Sequence, residues 1–373
     1  MSAPQVASYG AKGWATPVGV SGPAYPGAFR AYGPQLTIVL TLLRIVLMLR
    51  RRAALAALPV LALPTVLAGC SADDGGDDGT LEVLASFYPL QYVAQQVGGD
   101  LVTVSNLTPP AAEPHDLELS PAQVREIGTA DLVVYQSGFQ AAVDEAVESQ
   151  APEHVVDAAQ VVTLESHPGT PEEQDADHAD HADDADDAAD DEDGHDHGTL
   201  DPHFWLDPTL LAPVADAVAQ ALSEADPANA DAYAQGAADL GGRLDDLDGE
   251  FSAGLEQCET RVLVTSHEAF GYLSERYDLE QVGIVGLDPE SEPSPARLRE
   301  VGAIVEENDV STIFTETLTS PKVADTLASD LGVDTAVLNP LEGLSDDDVE
   351  AGADYVSVMQ DNLTALTEGL RCS

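Results

Sequence analysis

Two blocks of alternating strand-like and helix-like pattern, separated by one long helical stretch, restrict the folds open to this chain more than any other feature of it. In the first block Leu81 to Phe87 reads as a strand, Pro89 to Val97 as a helix, Leu101 to Asn106 as a strand and Ser120 to Thr129 as a helix; strands follow at Leu132 to Gln136 and His154 to Asp157. Ser120-Pro121-Ala122-Gln123 carries an N-cap serine, a proline at the first helical position and a glutamine at the third, which together form a capping box. The second block repeats the alternation, with strands at Arg261 to Thr265, Gln281 to Val285, Ser311 to Thr315 and Val333 to Leu338. Its helices cover Ala269 to Tyr277, start again at Ser294-Pro295 and Ser320-Pro321, and end with one from Asp348 to Leu370. Short β-branched runs that alternate with helices form parallel sheets covered by helices, so the expected fold class is α/β, with two parallel-sheet lobes. Between the blocks the chain is helical from Pro208 to about Glu224, and again from Ala228 to about Leu255 after Asp226-Pro227. The second of these helices carries Tyr233, Leu240, Leu244, Leu247 and Phe251 at three- and four-residue spacings. At about 1.5 Å per residue it is roughly 42 Å long, enough to run along both lobes as one rigid helix. The expected boundaries are a first lobe over 80–225, a linker helix over 226–257 and a second lobe over 258–373.

Ahead of the lobes, Arg50-Arg51-Arg52 precedes a short apolar run from Ala53 to Leu63 and then Leu67-Ala68-Gly69-Cys70. A basic segment, a short apolar segment and small residues at the cut describe a secretory signal. It is complete from Met48, which is the expected start; residues 1–47 stand outside it. A membrane span over Leu36 to Leu49 is the competing reading, but Arg44 interrupts a run already short for one. Leu67 to Cys70 resembles the bacterial lipobox, which implies a lipid anchor on Cys70. Residues 70–79, rich in Asp and Gly, read as a flexible tether. With Cys70 lipidated, Cys258 and Cys372 are left as an even pair in an exported protein, which favours a disulfide.

Charge is distributed as unevenly as the pattern. Residues 1–69 hold no Asp or Glu, and from Cys70 onward eight Lys and Arg face 67 acids, a formal −59. Such a field repels nucleic acid and anionic lipid headgroups and attracts metal cations. Ser166 to Gly198 concentrates it, with five histidines and fourteen acids in 33 residues and no Lys or Arg. This loop cannot bury enough apolar surface to order itself. A solvated acidic loop is the plain reading, but His178-x-x-His181 and His195-x-His197 are spaced to share Zn²⁺, so the loop is expected to act as an accessory metal collector.

Three histidines stand apart from that loop. His115 lies in Glu113-Pro114-His115-Asp116, His203 in Asp201-Pro202-His203-Phe204-Trp205-Leu206-Asp207-Pro208, and His267 in Val264-Thr265-Ser266-His267-Glu268. His115 and His267 follow strand-like runs, Val102 to Leu107 and Val262 to Thr265, which places them at the carboxyl edge of a parallel sheet. A lone histidine is more often a surface or hydrogen-bonded core residue. Three brought to sheet edges suffice to hold a divalent transition ion, with a fourth position for a carboxylate or water.

These blocks, with Ala130-Asp131-Leu132-Val133-Val134, Asp226-Pro227-Ala228-Asn229, Ser266 to Tyr272 and Ile313-Phe314-Thr315-Glu316, resemble the bacterial zinc or manganese solute-binding lipoproteins of ABC importers over Thr80 to Leu370. The resemblance implies two lobes joined by a rigid helix, with a metal site in the cleft between them. His115 and His203 are its implied ligands from the first lobe and His267 from the second. It also implies Zn²⁺ as cargo, an extracytoplasmic lipid-anchored monomer, and a permease partner with a separate ATPase subunit, since no phosphate-binding Gly-x-x-x-x-Gly-Lys-Ser/Thr occurs. In one place the chain departs from the family pattern: the family commonly has aspartate before Pro-Leu near the last strand, where Asn339-Pro340-Leu341 stands here. The fourth position therefore falls to water, Glu316, Asn339 or an acid of the loop, with Glu316 alternatively orienting a histidine. Three imidazoles suit Zn²⁺ better than Mn²⁺. The competing readings are a manganese or other divalent-metal binder, a metal-binding adhesin, and a zinc hydrolase with Glu268 as base. Against the last, His-Glu-x-x-His is absent, because Gly271 occupies its final position.

Overall fold

The computed structural model describes residues 80–167 and 200–373. The signal region, Cys70, the tether, and His178, His181, His195 and His197 lie outside the described residues. Two four-stranded sheets carry the architecture. The first joins β1 (Leu81–Ala85), β2 (Val102–Asn106), β3 (Leu132–Tyr135) and β4 (Val155–Asp157) in the order β2-β1-β3-β4. The second joins β5 (Val262–Thr265), β6 (Glu280–Gly283), β7 (Thr312–Thr315) and β8 (Asp334–Val337) in the order β6-β5-β7-β8, the same arrangement met again. Every pairing in both sheets is parallel. The expected two parallel-sheet α/β lobes are therefore present. Parallel pairing has one consequence for function: the carboxyl ends of all strands in a sheet emerge on the same side.

The helices are α1 (Tyr88–Gly98), α2 (Pro121–Ile127), α3 (Ala141–Gln150), α4 (Ala158–Val161), α5 (Pro208–Ala225), α6 (Ala230–Gly254), α7 (Gly271–Arg276), α8 (Pro295–Glu307), α9 (Lys322–Leu331), α10 (Asp346–Ala351) and α11 (Tyr355–Gly369). Ser120 caps α2 in the expected capping box. The pattern does not reveal α3 or α4. The single helix expected from Asp348 to Leu370 is two, because Gly352 takes φ 70° at the end of α10 and Asp354 caps α11 afresh.

The long helix α6 has 25 residues, about 38 Å at the usual rise, with a short 3₁₀ turn at Pro227–Asn229 taking up the start of the expected stretch. Tyr233, Ala237, Leu240, Leu244, Leu247 and Phe251 bury one stripe along its whole length. Near its start it lies so close to α1 that a Cβ on Gly236 would sit 2.4 Å from the Val97 carbonyl oxygen, and Arg243 reaches Gln96 at 2.7 Å. Near its end Asp248 accepts two bonds from Arg276 of α7, at 2.8 and 2.9 Å, and Glu250 accepts from Gln360 of α11 at 3.0 Å. Both lobes thus hold the same helix.

One apolar core runs without interruption through the two lobes, from Val83, Phe87 and Leu132 through Trp205, Leu240 and Phe251 to Phe270, Phe314 and Tyr355. Polar contacts cross with it: Trp205 Nε1 donates to the Pro340 carbonyl at 2.8 Å, the Tyr355 hydroxyl donates to the Trp205 carbonyl at 2.6 Å, and the Tyr92 and Tyr355 rings stack at 5.4 Å. Parting the lobes as rigid bodies would expose this shared core, so large hinge opening is costly. Cys258 and Cys372 form a disulfide that ties the end of the chain to the start of the second lobe. No helix among the described residues is long and apolar enough to cross a membrane.

Candidate metal centre

The strand ends deliver the site. His115 lies in the loop after β2, His267 two residues beyond β5, and Glu342 five residues beyond β8, while His203 leads into the 3₁₀ turn Phe204–Leu206 that precedes α5. Their ligand atoms all lie within 4.8 Å of one another. Glu342 Oε1 is 3.1 Å from His203 Nε2, 3.2 Å from His267 Nε2 and 3.4 Å from His115 Nε2. Three imidazoles thus point the same nitrogen at one carboxylate oxygen, two contributed by the first lobe and one by the second.

Neighbouring side chains hold these rings in place. Asp201 Oδ1 accepts from the backbone N–H of His203 at 2.9 Å and meets its ring Nδ1 at 2.7 Å. Glu316, the residue after β7, does the same for His267: Oε1 takes its backbone N–H at 3.0 Å and Oε2 meets its Nδ1 at 2.6 Å. A carboxylate on Nδ1 holds a hydrogen there, so Nε2 is the nitrogen that offers its lone pair once its own proton leaves. The His115 backbone N–H donates to Glu113 Oε1 at 2.8 Å, Gln140 holds the Pro114 carbonyl at 3.2 Å, and the His115 ring meets the edge of Phe139 at 4.8 Å.

Burial opposes a charged ring at His203, but Asp201 and Glu342 outweigh it and raise its pKa above the usual histidine range. At His267 burial is likewise overcome, here by Glu316 and Glu342, and the pKa stands well above that range. Burial would push Glu342 up, yet bonds to the three histidines hold it well below the usual carboxylate range. An ion entering this cluster therefore meets an ionised carboxylate and displaces protons from imidazoles. The side chains of His203 and His267 are 0 % exposed and that of His115 is 16 %, so the open approach is past His115.

The residue that the sequence reading missed is Glu342. Of the residues named for the fourth position, neither Glu316 nor Asn339 joins the cluster, and the acids of the loop from 168 to 199 lie outside the described residues. Glu316 is occupied with His267, and Asn339 Oδ1 takes the Leu341 N–H at 2.8 Å while Asn362 clamps the Asn339 backbone at 2.8 and 2.7 Å. That turn puts Leu341 at φ 57°, a left-handed conformation rare for a non-glycine residue, and so aims Glu342 between the lobes. The family's Asp-Pro-Leu pattern drew attention to position 339, three residues short of the carboxylate. A usable signal was Leu341-Glu342-Gly343-Leu344, an acid enclosed by apolar residues just beyond the last strand. Glu268 turns away from the cluster to Arg297, at 3.4 Å, and burial pushes its pKa up to about 7.

The family sequence model described as zinc-uptake complex component A, periplasmic (ZnuA) matches residues 83–369. The chain belongs to the ZnuA family. It is a family of transport components and not of enzymes, which sets the hydrolase reading aside. The chain is 36 % identical over 301 residues to the high-affinity zinc uptake system protein ZnuA of Bacillus subtilis, covering 80 % of this chain and 90 % of that protein. The crystal structure of Zn(II)-bound AdcA from Streptococcus pneumoniae superposes with a TM-score of 0.63 at 32 % identity, covering 78 % of this chain and 58 % of that one. The laminin-binding protein Lmb of Streptococcus agalactiae, described as bifunctional with adhesin and metal transporting activity, gives 0.65 at 30 % identity over 78 % of this chain and 99 % of that one.

Proposed function

We propose that this protein captures Zn²⁺ outside the cytoplasmic membrane with His115, His203, His267 and Glu342 and hands it to an ABC permease for high-affinity uptake. The observation that carries the reading is the convergence of three Nε2 atoms on Glu342 Oε1, at 3.1, 3.2 and 3.4 Å. Three nitrogens and one carboxylate oxygen are a four-coordinate zinc set, and Mn²⁺ prefers more oxygen. ZnuA-family proteins work with a permease and an ATPase, and the family description places them in the periplasm. A lipid anchor on Cys70 keeps the monomer at the outer face of the cytoplasmic membrane, and the His- and Asp-rich loop gathers ions for it.

The shared core favours fixed lobes, so release runs through local movement of the loop that carries His115, the one ligand with an exposed edge. The test is growth of a deletion strain under zinc limitation. Growth is restored by the wild-type chain and not by one with His115, His203 and His267 all changed to alanine; normal growth of the deletion strain would sink the import reading. Glu316→Gln keeps the shape of the residue while weakening its hold on the His267 ring. A loss of about 10–100-fold in Zn²⁺ affinity is expected, measured by competition with a chelator. The likeness to Lmb supports adhesion as a second reading, tested by binding of the purified chain to immobilised laminin.

A further inference from the structure

Outside the interlobe cluster, a second group of side chains able to ligate a metal is formed by Glu165 and His167, just before residue 168, and by Glu275 of α7. Glu165, His167 and Glu275 each offer a ligand atom, all within 4.8 Å of one another. Its geometry repeats that of the buried site around the same carboxylate. Asp201 Oδ1 meets His203 Nδ1 at 2.7 Å, and Asp201 Oδ2 meets His167 Nδ1 at 2.8 Å. On the far side of each ring Nε2 faces a glutamate: Glu342 Oε1 at 3.1 Å for His203, and Glu275 Oε2 at 3.3 Å for His167. One aspartate therefore orients two imidazoles, each with Nε2 directed at a carboxylate.

The surroundings fit this arrangement. The His167 ring lies edge-on to Tyr272 at 4.4 Å, and the Tyr272 hydroxyl accepts the Glu165 backbone N–H at 2.7 Å. A Cβ on Gly271 would lie 2.4 Å from both Asp201 Oδ2 and His167 Nδ1, so a residue without a side chain leaves room for the pair. The Glu275 side chain is 65 % exposed and that of His167 is 13 %, so a bound ion keeps water on its open side. One imidazole, two carboxylates and water satisfy Zn²⁺, with weaker binding than a buried four-ligand set.

We infer that Glu165, His167 and Glu275 form a second, weaker Zn²⁺ site at the root of this segment. Its existence does not depend on the interlobe cluster binding zinc. The opposing account is a protonated His167 clamped between Asp201 and Glu275 as a purely structural ion pair. The two are separated by a calorimetric and native mass-spectrometric Zn²⁺ titration of the full chain with His178, His181, His195 and His197 all changed to Asn, which removes the competing imidazoles. Two Zn²⁺ per chain are expected. The weaker is lost in Glu165→Gln/Glu275→Gln, and the tighter is retained, its affinity moved by less than about tenfold because Asp201 and the four interlobe residues are left unchanged. The weaker ion persists when His267→Ala is added. One Zn²⁺ per chain in the four-Asn protein, or a second ion that survives the double glutamine change, overturns the proposal. If instead the tighter ion survives His267→Ala, the reading of the interlobe cluster fails and the outer site stands.

Discussion

Zn²⁺ affinity is expected to fall about 10²–10³-fold when His267 is replaced by alanine, the magnitude following from zinc binding energies of roughly 10–16 kcal/mol shared among four ligands. His267 is the only one of the three clustered histidines that comes from the second lobe, and Glu316 fixes both its backbone and its ring. Alanine removes a ligand and leaves Glu316 buried without its imidazole partner. The Glu342→Gln change separates this double effect, since an amide keeps the shape and removes the charge that the three rings face. A comparable loss is expected there too. Measurement is by competition against a chelator, with circular dichroism and thermal unfolding as the check on folding. An affinity unchanged in both variants removes the interlobe cluster as the tight site.

Acidification is expected to weaken Zn²⁺ binding by up to about 100-fold per pH unit, because two protons must leave for one ion to enter. Both buried rings have raised pKa values in the ion-free fold, from burial overcome by Asp201 and Glu342 at His203 and by Glu316 and Glu342 at His267. Each therefore holds its proton above the usual value of 6.5. Glu342, already ionised, releases none. The sign for stability is the reverse of that for binding. A raised histidine pKa contributes stability to the ion-free protein fully below pH 6.5, and this is lost as pH rises through the folded values. The thermal shift produced by Zn²⁺ should accordingly grow with pH. Titrations in buffers of different ionisation enthalpy count the protons; release of none at neutral pH would sink the argument.

Much of this was legible in the chain because it is local. Strand runs such as Val262–Thr265, caps such as Ser120 with Gln123, and the apolar stripe of α6 follow from periodicities that neighbouring residues impose on one another. The break in the final helix was harder to see, since Gly352 and Asp354 interrupt an otherwise helical pattern by only a few residues. Helices α3 and α4 carry few buried residues and so leave little apolar signal. The three histidines stood out because each sits in a distinctive neighbourhood. Glu342 did not, since it is one acid among 67 and its one local mark, the apolar neighbours Leu341 and Leu344, does not say which histidines it meets.

By itself, then, the sequence determined the two α/β blocks, the long helix between them, the cation-attracting charge and the candidate imidazoles, all of which depend on residue type and short-range spacing. Only the tertiary structure decided which carboxylate meets them. That choice rests on the Asn339–Asn362 clamp and the left-handed Leu341, which turn Glu342 inward across a distance of 227 residues from His115. The same holds for Asp201, whose two oxygens serve two rings. Contacts of that range form when parallel sheets bring their carboxyl ends together, and no local pattern encodes them.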